Sequence, residues 1–103
     1  MSEQINRCAE RMRRLFSHGD MSYHLAKLLE ESGELSAAVT KDQGNEAVCD
    51  EVADVVLSAL LIGSAYCRNY PDFDLVIERK LKALEDNPFY QQIKPPTSRP
   101  FNE

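Results

Sequence analysis

The sequence has little of what nucleic-acid-binding, membrane or secreted proteins are built from. Twelve basic residues against seventeen acidic ones leave a formal net charge of −5, so no broad basic surface neutralises phosphates or anionic lipid. An acidic chain that acts on a phosphate compound needs metal cations between the two. Cysteine is scarce. Cys8, Cys49 and Cys67 are odd in number, far apart and without a C-x-x-C, which argues against a disulfide framework or a zinc site and fits a reducing cytosol. The first residues carry Glu3, Arg7 and Glu10 where a secretory leader would be apolar. The uncharged run from Val55 to Cys67 is too short to span a bilayer and holds Ser58, Gly63 and Ser64. P-loop, dinucleotide and serine-hydrolase fingerprints are missing. The expectation is one soluble, cytoplasmic domain with no direct nucleic-acid or membrane binding.

What is present is helical periodicity. Ile5, Cys8, Met12, Leu15 and Phe16 predict a first helix over 3–17, with Ser2 as its cap and Arg7, Arg11 and Arg14 on the opposite side. Ser17-His18-Gly19-Asp20 has turn chemistry, and Asp20 or Ser22 can cap a second helix over 22–41. Leu25, Leu28, Leu29, Ser32, Leu35, Ser36 and Val39 are its expected inward stripe. Gly44 suits a helix end or loop, and Asn45 is placed to cap a third helix reaching Cys67. That helix turns apolar nearly all round after Val55, which predicts a central position. Asn69-Tyr70-Pro71-Asp72 breaks the chain before a fourth helix over 73–86, which Asn87-Pro88 ends. The prolines at 95, 96 and 100 exclude a regular element in the tail. The predicted architecture is all-α: a four-helix bundle-like subunit over 1–88 with an extended tail over 89–103.

The stretch Leu28–Ile62 carries the chemistry. It holds two carboxylate pairs at i,i+3, Glu31/Glu34 and Glu51/Asp54, on helices that a short turn makes antiparallel neighbours. At about 100° per residue, Glu31 lies at the edge of the second helix's stripe and Glu34 further round. Glu51 falls inside the apolar arc of Val48, Val52, Val55, Ala59 and Ile62. Glu30 points away from Glu31. A buried carboxylate is costly unless paired or metal-bound, and Lys27 is the obvious cation nearby. One E-x-x-E is weak evidence, because acids are common on solvated helix faces. Two pairs on adjacent helices, one of them in an apolar arc, favour a bound divalent ion. Oxygen-only donors select Mg²⁺ or Mn²⁺, since iron and zinc sites recruit His or Cys. His18 and His24 precede the acids and have the ordinary reading of surface or packing residues.

Glu30-Glu31-Ser32-Gly33-Glu34-Leu35, then sixteen residues, then Glu51-Val52-Ala53-Asp54-Val55-Val56 resembles the E-E-x-x-E…E-x-x-D signature of MazG-like nucleotide pyrophosphohydrolases. The resemblance covers the second and third helices closely and the fourth loosely, about half the chain. It implies an all-α dimer or tetramer that uses Mg²⁺ to hydrolyse (deoxy)nucleoside triphosphates to monophosphate and pyrophosphate, a nucleotide-pool house-cleaning activity. By position it implies Glu31, Glu34, Glu51 and Asp54 as metal ligands, with Glu30 in support. Glu34, farther from the apolar stripe, is the expected catalytic residue that orients or deprotonates the attacking water. Lys27 and Lys80 are candidates for the phosphates, Tyr23 and His24 for the base. Lys80 fits a lysine that relatives carry in the fourth helix, but Leu84 stands where they have an Asn. Phosphoribosyl-ATP pyrophosphatases are a less similar sister group, with a His where this chain has Ser58. Outside the enzyme class, a non-catalytic oligomerising or nucleotide-binding helical module fits the same helices.

Overall fold

Two residues with positive φ set the topology. In the computed structural model, which describes residues 2–16, 19–67 and 73–91, Asp42 has φ 53° and Gly44 φ 106°. Between them they reverse the chain, joining helix α2 (Met21–Thr40) to helix α3 (Asn45–Tyr66) as an antiparallel hairpin. The end of α2 is a Schellman motif: the Gln43 N–H donates to the Ala38 carbonyl at 3.0 Å and the Asp42 N–H to the Val39 carbonyl at 3.2 Å. Asp42, not Gly44, takes the left-handed position that closes the helix. Gly44 instead sits just before α3 in an extended, positive-φ conformation. Asn45 is already inside α3, and the helix start has no side-chain cap, contrary to the capping role expected of Asn45. Asp20 caps α2 as its sequence position suggests, with the Tyr23 N–H donating to its Oδ1 at 2.9 Å.

The described residues are helical without a strand. Helix α1 (Ser2–Leu15) packs on α3, and α4 (Phe73–Glu85) packs mainly on α1, where the Asp74 N–H reaches Asn6 Oδ1 at 3.4 Å. Ser2 is the first residue of α1. Phe73 lays its ring against Gly63 of α3 so closely that a Cβ there would lie 2.6 Å from the ring. Past Asn87 the chain makes one more turn, α5 (Pro88–Gln91), with Asn87 Oδ1 accepting from the Phe89 N–H at 2.9 Å and Pro88 at the first helical position, which tolerates it. A regular element was not expected there. The connectors 17–18 and 68–72, with His18 and the Asn69–Asp72 break, lie outside the described residues, as do 92–103. No helix among the described residues is long and apolar enough to cross a membrane.

The core is thin. Among the described residues Ala9, Ala38, Leu60 and Leu61 are the buried apolar ones, joined by His24. The inward surface of α2 differs from the expected stripe: His24, Leu28, Glu31, Leu35 and Ala38 turn inward, while Leu25, Leu29, Ser32, Ser36 and Val39 are exposed. On α3 the line Val48, Glu51, Val55, Ser58, Ile62 is half-buried, whereas Val52, Val56 and Ala59 face out. Both inward lines step by alternating three and four residues, the spacing of a helix–helix seam. The sequence superposes two such seams on each helix, and apolarity alone merges them into one broad stripe. For the same reason α3 is not enclosed all round after Val55: Val56, Leu57, Ala59 and Tyr66 are exposed. On α1, Arg13 and Arg14 pair with Glu10 at 3.0 and 3.4 Å on a solvated surface where such pairs contribute little.

Candidate metal centre

Because Glu31 and Glu51 occupy positions in the facing seams of α2 and α3, the hairpin itself brings their carboxylates together. Asp54, one turn beyond Glu51, adds a third. One oxygen of each lies within 4.8 Å of the others. Glu31 keeps only 13 % of its side chain exposed, Glu51 is half-buried and Asp54 is exposed, so the group is walled by the hairpin and open on the Asp54 side. Glu51 Oε1 is buried and has no hydrogen-bond partner among the described residues. A buried acceptor without a donor is destabilising, and native structures rarely keep one without a reason.

The electrostatics agree with the geometry. Burial pushes the Glu51 carboxyl above its ordinary value, and the charges of Glu34, Asp54 and Glu31 push it further, as does a hydrogen bond to Asp54 that the protonated acid makes. The Glu31 carboxyl is also raised, first by burial and then by Glu34 and Asp54, with Lys27 opposing. Lys27 is itself raised, chiefly by its hydrogen bond to Glu30. Its ammonium sits 2.7 Å from Glu30 Oε1 and 3.6 Å from Glu31 Oε1. Glu30, exposed at the surface, thus holds the lysine that leans on Glu31. One ammonium does not neutralise Glu31, Glu34, Glu51 and Asp54 together. The donor set fits a hard divalent ion: all oxygen, anionic, with no His or Cys in the cluster.

Of the residues singled out in the sequence, the structure groups Glu31, Glu51 and Asp54 directly. Glu34 is exposed and stands outside that trio, yet its charge is felt by both Glu31 and Glu51. Lys80 is exposed on α4, whose main packing is with α1, and no contact among the described residues joins it to the carboxylates. Tyr23 and His24 border a cleft of about 50 Å³ with Met12, Phe16, Lys27, Ser58 and Leu61. Lys27 belongs to cleft and cluster alike, and Ser58 follows Asp54 by one turn, so the two features are continuous. The His24 ring is buried, edge-on to Tyr23 at 5.7 Å and to Phe16 at 6.4 Å. Gly19 passes so close that a Cβ there would lie 2.6 Å from the imidazole. Met12, Phe16 and Leu61 line the cleft without having been singled out as site residues, and Ser58 entered the sequence reading only as the residue in place of a sister group's His. Ser58 carried a usable signal, its i,i+4 spacing from Asp54; Phe16 carried none beyond apolarity.

Compared with known protein families, curated proteins and solved structures, the chain finds no match.

Proposed function

We propose that this chain is a Mg²⁺-dependent (Mn²⁺ as substitute) nucleoside triphosphate pyrophosphohydrolase of MazG-like type, cytoplasmic and active as a homo-oligomer of four-helix subunits. The observation that carries the proposal is Glu51 Oε1, buried and unpaired inside a trio of carboxylates. A divalent ion supplies the missing partner and offsets the mutual repulsion that raises Glu31 and Glu51. Glu31, Glu51 and Asp54 hold it, with Glu34 on the open rim. When bound, such an ion would supply positive charge to the triphosphate oxygens and to the charge that develops during phosphoryl transfer.

The chain's own residues divide the remaining work. Glu34, exposed and outside the tight group, orients the attacking water and accepts its proton. The water oxygen bonds to the α-phosphorus as the bridge to the β-phosphate breaks, and pyrophosphate leaves. Lys27 stands where it can meet phosphate oxygens by exchanging its hold on Glu30. The exposed ring of Tyr23 at the edge of the cleft offers a base a face to stack on. His24, packed beneath, fixes that ring by its edge. Lys80 would act only if another subunit brought it to the site. Ser58 at the cleft wall, in place of a histidine, favours this activity over phosphoribosyl-ATP hydrolysis.

A panel of canonical and modified nucleoside triphosphates, assayed for pyrophosphate release with Mg²⁺, tests the proposal. Glu34→Gln and Asp54→Asn are each expected to lower turnover by about 10² or more, the usual scale for losing a general base or a charge-stabilising group, with helicity unchanged. Wild-type turnover in either variant would discard the site. The exposed apolar seam also supports a second reading, a non-catalytic oligomerising or nucleotide-binding module. A module of that kind releases no pyrophosphate, and one that only oligomerises is not stabilised by Mg²⁺.

A further inference from the structure

Lys27 has two carboxylates within reach and holds only one of them firmly. Its ammonium stands 2.7 Å from Glu30 Oε1, three residues on, and 3.6 Å from Glu31 Oε1, four residues on. The first is a short, charge-assisted hydrogen bond; the second is a charge contact too long for a good one. The Glu30 side chain is 55 % exposed and that of Glu31 13 %, so the lysine spans the boundary between solvent and the carboxylate trio. Glu30 makes no other polar side-chain contact among the described residues. We infer that Lys27 is the resident counter-cation of the ion-free centre, competing with a divalent ion for Glu31, and that Glu30 is the positioning residue that draws it aside. The inference rests on the metal reading proposed above and adds to it how the ion affinity of the centre is set.

Two observations favour competition over an ordinary ion pair on a helix surface. A lysine that precedes its glutamates runs against the favourable order of such pairs, and exposed pairs contribute little in any case. Helix stability therefore does not account for the arrangement. The second observation is where the ammonium acts. It counters the upward push that burial, Glu34 and Asp54 exert on the Glu31 carboxyl, which is the work a bound cation would take over. A divalent ion held by Glu31 puts a second cation on the carboxylate that Lys27 touches, and like charges that close repel. Ion binding thus drives the ammonium onto Glu30, which lies outside the trio and is free to receive it. Both acceptors sit on the next turn of the same helix, so the exchange needs only side-chain rotation. Without Glu30, the ammonium settles on Glu31 and obstructs the ion.

Calorimetric titration of Mg²⁺ into the full chain, at fixed ionic strength and protein concentration, tests this on the wild type, Lys27→Met, Glu30→Gln and the double variant. Methionine keeps an apolar stem against the cleft and removes only the charge. Lys27→Met is expected to lower the Mg²⁺ dissociation constant at least about threefold and Glu30→Gln to raise it at least about threefold, the scale on which pairs of this exposure act. The double variant separates the inference from simple attraction between Glu30 and the ion. With no lysine to draw aside, Glu30 has nothing to act on, so the double variant should bind within about twofold of Lys27→Met. Through-space attraction predicts instead that Glu30→Gln weakens binding by the same factor in both backgrounds. That additive result, a Lys27→Met constant that does not fall, or a Glu30→Gln constant that does not rise would overturn the inference and leave the metal reading standing. Should Lys27→Met lose helicity by circular dichroism, Glu30→Gln decides alone. If neither the wild type nor Lys27→Met binds Mg²⁺, the metal reading falls and this inference with it.

Discussion

Glu51 concentrates the electrostatic tension of the candidate site in one side chain. It stands where a helix seam wants an apolar residue, it leaves an oxygen unpaired, and three neighbouring acids discourage its ionisation. Without an ion, the folded chain therefore binds protons at Glu31 and Glu51 more tightly than the unfolded chain does. Their contribution to stability is full below the ordinary glutamate range and is lost as pH rises through the raised values. The ion-free protein is expected to become less stable as pH climbs through that window, the reverse of the usual salt-bridged carboxylate. Mg²⁺ competes with the same protons, so its stabilising effect should fade as pH falls. Thermal melts with chelator and with Mg²⁺, stepped across about pH 4 to 8, measure both slopes. Glu51→Gln removes the charge but keeps the shape. It should melt no lower than the ion-free wild type, flatten the pH slope and abolish the Mg²⁺ increment. A Gln variant that melts well below the ion-free wild type would show that the carboxylate is stabilised by something other than an ion.

At the scale of elements, the hairpin turn holds the site in register, because a shift of α3 along α2 would separate Glu31 from Glu51. Gly44 is the position where the turn admits no side chain on conformational grounds, with φ 106° and ψ 162°, a region essentially restricted to glycine. Gly44→Ala should cost about 1–3 kcal/mol even though a Cβ there meets open space, and chemical denaturation of the variant gives the number. A smaller loss would mean that the turn relaxes, in which case Mg²⁺ binding should weaken with it. Much of this level was legible in the sequence. The four long helices fall within one or two residues of the ranges that periodicity predicts, because Asp20, the Asp42–Gly44 turn and Asn87-Pro88 punctuate them chemically. Two kinds of detail were not legible. Left-handed geometry fell to Asp42, which sequence alone ranks behind the nearby glycine for that conformation. The rotation of α2 was also hidden, since Leu25 and Leu29 are as apolar as Leu28 and Leu35, and burial depends on which seam the partner helix takes.

At the scale of the whole molecule, that rotation bears directly on the candidate site. It carries Glu31 from the margin of an imagined stripe into the hairpin seam opposite Glu51, so the carboxylates meet more closely than periodicity implied, while Glu34 stays on the rim. The pairing of acidic motifs was visible in the sequence because their spacing is local to each helix. The cleft was not, because Phe16, Tyr23 and Ser58 come together only when α1 crosses the hairpin. If the trio binds an ion in the folded chain alone, stability must follow ion concentration by mass action. Above the dissociation constant each tenfold rise in Mg²⁺ adds about 1.4 kcal/mol, or roughly 5–10 °C in melting temperature for a domain of this size. Protein concentration has to be held fixed, since any self-association would move the melting point on its own. The wild type should follow this slope with Mg²⁺ and with Mn²⁺ but not with K⁺ at equal ionic strength, and Glu51→Gln with none of them. An equal response to K⁺ would reduce the carboxylates to a screened acidic patch. A flat response to every ion would leave Glu51 an unpaired acid in a helical scaffold, and the metal-dependent hydrolase would have to be given up.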